Sequence, residues 1–149
     1  MAQRDGKSEL QLVHLGNLTL SGTTPAASAW VDTRGFDKVT LVPVANTIAD
    51  AGTTSGFSFE VQESNTTAAA DATAVADAEL NGAESDLTVT SDDADNSVIG
   101  GIGYVGSKRY VRLVATGTTG TNADVSVIAV NGDATIEPPA FVGASVAAT

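Results

Sequence analysis

Few side chains in this sequence could do chemistry, and most of them stand alone. His14 is the only histidine, so a Ser-His-Asp triad would have to be built on it. It falls in line with Leu10 and Leu12 on one face of an alternating run, which gives it a structural or edge role. Cysteine is absent, and with it disulfides, thiolate metal sites and thiol nucleophiles. Ser91-Asp92-Asp93-Ala94-Asp95-Asn96 gathers hard oxygen donors of the kind that bind calcium. The twelfth position counted from Asp92 is Gly103 and from Asp93 is Tyr104, so no glutamate closes an EF-hand loop. A solvated acidic turn is expected there, with no metal and no cofactor.

Gly101-Ile102-Gly103-Tyr104-Val105-Gly106 spells G-x-G-x-x-G, but the phosphate site marked by that motif needs a helix N-terminus directly after the glycines. Residues 109–116 alternate like a strand instead, so the match is read as coincidence. Glu60 and Glu63 could supply the two carboxylates of a glycosidase, yet any acidic domain contains such pairs, and spacing alone does not select them. Lys108, Arg109 and Arg112 cluster beside Tyr104 and Tyr110. Against 18 acidic and 7 basic residues, a net charge of −11, they are expected to meet acidic neighbours and not nucleic acid.

The elements that would position these residues are short alternating runs separated by Gly, Asn, Asp, Thr and Pro, the pattern of half-buried antiparallel strands. Phe57, Phe59 and Val61 against Ser58, Glu60 and Gln62 give the clearest example. Residues 28–32 and 38–44 read as a hairpin across Thr33-Arg34-Gly35, with Pro43 placing the second strand at an edge or bulge. Residues 109–116 and 124–131 read as a second hairpin, with Val111, Leu113 and Ala115 sharing a face. Residues 66–80 are contested between the helix propensity of their alanines and an alternating pattern, and loop followed by strand is preferred.

An all-β fold follows: an antiparallel β-sandwich, jelly-roll or immunoglobulin-like, or a barrel-like closure, with extended terminal arms. Residues 1–8 form a polar arm, 9–133 the sandwich, and 134–149 a tail beyond the break at Pro138-Pro139. The 42% hydrophobic fraction is dominated by Val, Ala, Leu and Ile, so the core should be aliphatic. The first eight residues lack the apolar stretch of a signal peptide, and no apolar window is long enough for a membrane span, so no membrane is expected.

Phe59-Glu60-Val61-Gln62-Glu63-Ser64, Lys108-Arg109-Tyr110-Val111-Arg112-Leu113-Val114 and the run at 125–130 with Gly132-Asp133 follow a recognisable order. Trp30-Val31-Asp32-Thr33 and Phe36-Asp37-Lys38-Val39-Thr40 fit the same layout. In these segments the chain resembles small virion structural proteins of tailed phages, the head decoration or capsid cement proteins. The resemblance implies a β-sandwich on the capsid exterior, made in the host cytoplasm and bound to the lattice of the major capsid protein. It implies a homo-oligomer, with a trimer as the expected size, and brings no catalytic residues with it. A non-enzymatic role in decorating and stabilising the capsid is therefore expected. The alternative is a ligand- or carbohydrate-binding β module of a fibre or cell-surface assembly, for which Trp30, Tyr104 and Tyr110 are the available aromatic platforms. Trp30 with Phe141, Val142 and Val146 of the tail are the expected assembly-interface residues, the tail acting as an arm that reaches a neighbouring subunit or the capsid.

Overall fold

The period of two in the apolar residues decides which side chains meet in the core. In the computed structural model, which describes residues 10–135, Phe59 and Val61 point inward while Ser58 and Glu60 face outward. Among the described residues there are eleven strands. They are β1 (Gln11–Ser21), β2 (Ala26–Ala27), β3 (Val31–Asp32), β4 (Phe36–Asp50), β5 (Ser58–Ser64) and β6 (Thr73–Ala74), then β7 (Leu80–Asn81), β8 (Ser97–Val98), β9 (Ile102–Tyr104), β10 (Tyr110–Thr116) and β11 (Asn122–Ala134). The larger sheet has six strands, in the order β1-β11-β4-β9-β7 with β8 also on β4. The smaller has five, in the order β2-β10-β5-β6 with β3 also on β10. All of these pairings are antiparallel, and the two sheets pack as a sandwich.

The core between them is aliphatic, as the composition implies. Leu20, Leu41, Val61, Val111, Leu113, Val125 and Val127 are fully buried, and Phe57 meets Phe59 edge-on at 6.0 Å between ring centres. Val111, Leu113 and Ala115 share the inward face of β10.

Neither expected hairpin forms. Residues 31–32 pair with β10 in the smaller sheet, while β4 lies in the larger one. The Thr33-Arg34-Gly35 link therefore crosses between sheets, with Gly35 at φ +91° and Thr33 N donating to Arg109 O at 2.8 Å. β10 and β11 likewise belong to opposite sheets, and the 117–121 link is fixed by Thr121. Its hydroxyl accepts from Thr118 N at 2.8 Å and donates to Ala51 O at 3.1 Å. In both cases the two strands belong to opposite sheets. Alternation tells which side of a strand is buried, but not which strand lies beside it.

Pro43 sits in an interior strand and not at an edge. β4 changes partner beside it, from β9 at Leu41 to β8 at Val44. The N and C=O of one residue in an antiparallel strand point to the same side, and Pro43 O accepts from Ile99 N at 3.0 Å. The N–H that proline lacks thus falls at the gap between two partners. β1 is one continuous strand whose register slips between His14 and Asn17, where Gly16 has φ +104°. The slip moves the inward positions from Val13 and Leu15 to Leu18 and Leu20. β11 continues beyond the expected end at Asp133 to Ala134, which pairs with Phe36. Residues 66–80 hold neither a full helix nor a full strand. They form two 3-10 turns, Ala69–Asp71 and Asp77–Glu79, around the two-residue β6.

Candidate functional site

The acidic turn that could have bound a cation is tied to the backbone of the larger sheet. Beyond Ala45, β4 runs past the end of β8 and its N–H groups on that side lose their ladder partners. Asp95 Oδ1 accepts from Ile48 N, and Asp92 Oδ1 accepts from Ala51 N at 2.7 Å. Ser91 Oγ caps the local 3-10 turn by accepting from Asp93 N. Glu84 does the same service for the smaller sheet, its Oε1 accepting from Val61 N at 2.6 Å. Among the described residues no group of three or more His, Cys, Asp or Glu is placed to hold a metal ion. Chelator is therefore expected to leave the melting temperature unchanged in differential scanning calorimetry. A loss of several degrees, restored by calcium, would contradict this use of the carboxylates.

The glycines of the G-x-G-x-x-G segment serve packing. Strand β9 begins inside the motif and no helix follows it before β10. A Cβ on Gly103 would stand 3.1 Å from Asn81 Cβ, and one on Gly106 would stand within 2.6 Å of several atoms of the Tyr104 ring. Tyr104 is thereby folded under the 105–109 loop, buried and unavailable as a ligand platform. Its hydroxyl donates to Glu63 Oε2 at 2.6 Å and accepts from Lys108 N at 2.9 Å. Burial, then the Glu63 hydrogen bond, push its pKa well above the ordinary tyrosine value.

The other aromatic candidates are also engaged. Trp30 is half-buried, its Nε1 donates to Thr67 O at 3.0 Å, and the Arg112 guanidinium lies 4.4 Å above its ring centre. Arg112 reaches Gln62 Oε1 through Nε and Nη2, and Gln62 Nε2 donates to Glu60 Oε1. Desolvation lowers the Arg112 pKa. Arg109 pairs with Asp32, with Nη2 to Oδ2 at 2.9 Å, and lies over the Tyr110 ring at 4.8 Å. This hydrogen bond holds the Asp32 carboxyl below its ordinary value. Trp30, Gln11, Val13, Val31, Asp32 and Asn131 line a cleft of about 190 Å³ at the edge of the sandwich. Of the remaining expected interface residues, Phe141, Val142 and Val146 lie outside the described residues. His14 is exposed on the outside of β1, opposite Ile128.

One feature escaped the reading of the sequence. The outward positions of the larger sheet carry Leu12, Val42, Val44, Val98, Ile128 and Val130, of which Leu12 is 44% and Val98 66% exposed. The signal was present in Val39-Thr40-Leu41-Val42-Pro43-Val44-Ala45 and Val127-Ile128-Ala129-Val130. Both runs are apolar at odd and even positions alike, the pattern of strands covered on two faces.

These features define an antiparallel two-sheet sandwich with one polar and one apolar outer face. No protein-family model matches the chain, and no curated protein matches it.

Proposed function

We propose that this protein is a non-enzymatic virion component that decorates a phage capsid from outside and stabilises it by binding the lattice of the major capsid protein. The observation that carries the reading is where the reactive-looking side chains go. Asp92, Asp95 and Glu84 accept from strand N–H groups, and Glu63 accepts from Tyr104. These are the duties of a scaffold whose carboxylates hold its own backbone. The resemblance of several segments to decoration proteins supports the setting, and one of them, Phe59-Glu60-Val61-Gln62-Glu63-Ser64, lies in β5 and pairs with β10. A charge of −11 suits a place on the exterior and opposes one against packaged DNA. The carbohydrate-binding alternative loses its platforms to Arg112 over Trp30 and to the burial of Tyr104.

The test is quantitative mass spectrometry of purified virions. The protein is expected at a fixed ratio to the major capsid protein, accessible to protease from outside, and particles lacking it are expected to lose DNA at a lower temperature. Its absence from virions, or glycan binding that depends on Trp30, would overturn the reading.

A further inference from the structure

We propose that the outer face of the larger sheet is the surface by which two copies of this chain pack against each other. Three cross-strand rows make up the face. The first is Leu12, Val130, Thr40 and Gly103; the second is His14, Ile128 and Val42; the third is Asn17, Ser126, Val44 and Val98. Residues directly opposite in an antiparallel ladder present their side chains on the same face, so each row is a continuous strip.

Charge points to a second copy as the occupant. The chain carries 25 acidic and basic side chains, counted as 18 plus 7, yet none of them falls in these rows. Charged groups begin only at the ends, with Lys38 and Asp133 at one and Asp124 at the other. Two molecules that each carry −11 repel over most approaches, and an uncharged face is where they can touch at least cost.

Two polar members of the face, Asn17 and Ser126, are satisfied from within. Asn46 Nδ2 donates to Ser126 Oγ at 2.7 Å, and Ser126 Oγ donates to Asn17 Oδ1 at 2.6 Å. Covering groups that hold each other's hydrogen bonds avoids the cost of stranding them. A Cβ on Gly101 would stand 3.6 Å from Thr40 Cγ2 and 3.8 Å from Val42 Cγ2, so glycine there leaves these methyls uncovered.

Size agrees with this occupant. Four strand positions at about 4.8 Å spacing and six residues at about 3.4 Å rise span a face roughly 19 Å by 20 Å. Two such faces remove on the order of 800 Å² from water, the scale of a weak pair whose formation depends on concentration. Sheets that pack face to face lie about 10 Å apart with strands about 30° from parallel, the geometry of any two-sheet sandwich. A two-fold axis through the face brings like residues together and closes the assembly at two.

This inference stands apart from the capsid reading, because it is measured on the isolated full chain. Light scattering behind size-exclusion chromatography, over a hundredfold concentration range, is expected to give twice the chain mass at the upper end. Val98→Lys and Leu12→Lys, at exposed positions that leave the core alone, are expected to raise the dissociation constant at least tenfold, and Ile128→Lys to abolish the pair. Ser58→Lys, on the outer side of the smaller sheet, is expected to leave the mass unchanged. Circular dichroism of each variant checks that it has folded. A monomer at every concentration, an odd-numbered assembly such as a trimer, or a pair that survives Val98→Lys and Leu12→Lys in folded protein would overturn the proposal.

Discussion

Replacing Gly56 with alanine is expected to destabilise the protein by about 4 kcal/mol or more, enough to leave much of the chain unfolded at 37 °C. Gly56 has φ +64°, a conformation that costs an L-residue roughly 1–2 kcal/mol. The larger effect is steric. An added Cβ would lie 1.8 Å from the Val89 carbonyl oxygen and 2.9 Å from Thr90 Cα, and both are backbone atoms that cannot swing away. The Phe57–Val89 bridge, with N to O distances of 3.0 and 2.9 Å, would have to open. Phe57, which is fully buried, would leave its place with it. Gly22 supplies the control, because it has φ +57° but nothing within 4 Å of an added Cβ. Gly22→Ala should therefore show only the backbone cost, about 1–2 kcal/mol. Urea titrations of the two variants measure the difference, and equal losses would show that the clash relaxes.

Tyr104→Phe is the second large effect, at about 2–4 kcal/mol, because the change strands one buried and one half-buried group at once. Glu63 Oε2 loses its donor and Lys108 N its acceptor. The pH dependence follows from the direction of the shift. Tyr104 keeps its proton in the folded state well above the ordinary tyrosine value of 10.0, while the unfolded chain releases it near that value. The hydroxyl's contribution is thus fully present below about pH 10 and is lost as pH rises from there toward the folded pKa. The gap in stability between wild type and Tyr104→Phe should be widest near neutrality and narrow in alkali. Denaturant titrations at neutral and alkaline pH read this directly, and a gap that is constant or widens would contradict the assignment.

The strands and their inward faces were legible because alternation is a property of one strand and its two environments. Phe57, Phe59 and Val61 needed no knowledge of the rest of the chain. Pairing is a different kind of information. The crossings at Thr33-Arg34-Gly35 and in 117–121 carry the same turn-forming residues a hairpin would, and only closure of two faces over a common core sends the strands to opposite sheets. The roles of Asp92 and Asp95 were hidden because the unpaired N–H groups of Ile48 and Ala51 arise from where β8 ends. No local pattern records that. The apolar outer face was legible in the runs of β4 and β11 that are apolar at odd and even positions alike. In residues 66–80 alanine propensity favoured helix, yet no stretch there buries a helical stripe, and single 3-10 turns were the outcome.

The position of β1 has a consequence for how the molecule is made. β1 hydrogen-bonds to β11, with Gln11 opposite Asn131, a separation of 120 residues. β4, the other neighbour of β11, is itself about 80 residues away, as the bond from Asn46 to Ser126 shows. During synthesis the first long strand must wait for its ladder partner until nearly the whole described chain exists. Contacts this distant make for slow folding, because loop closure must be met before pairing gives anything back. The waiting strands carry Leu12, Val42 and Val44, so the interval before β11 arrives is when the nascent chain is most exposed to joining another copy by its strand edges.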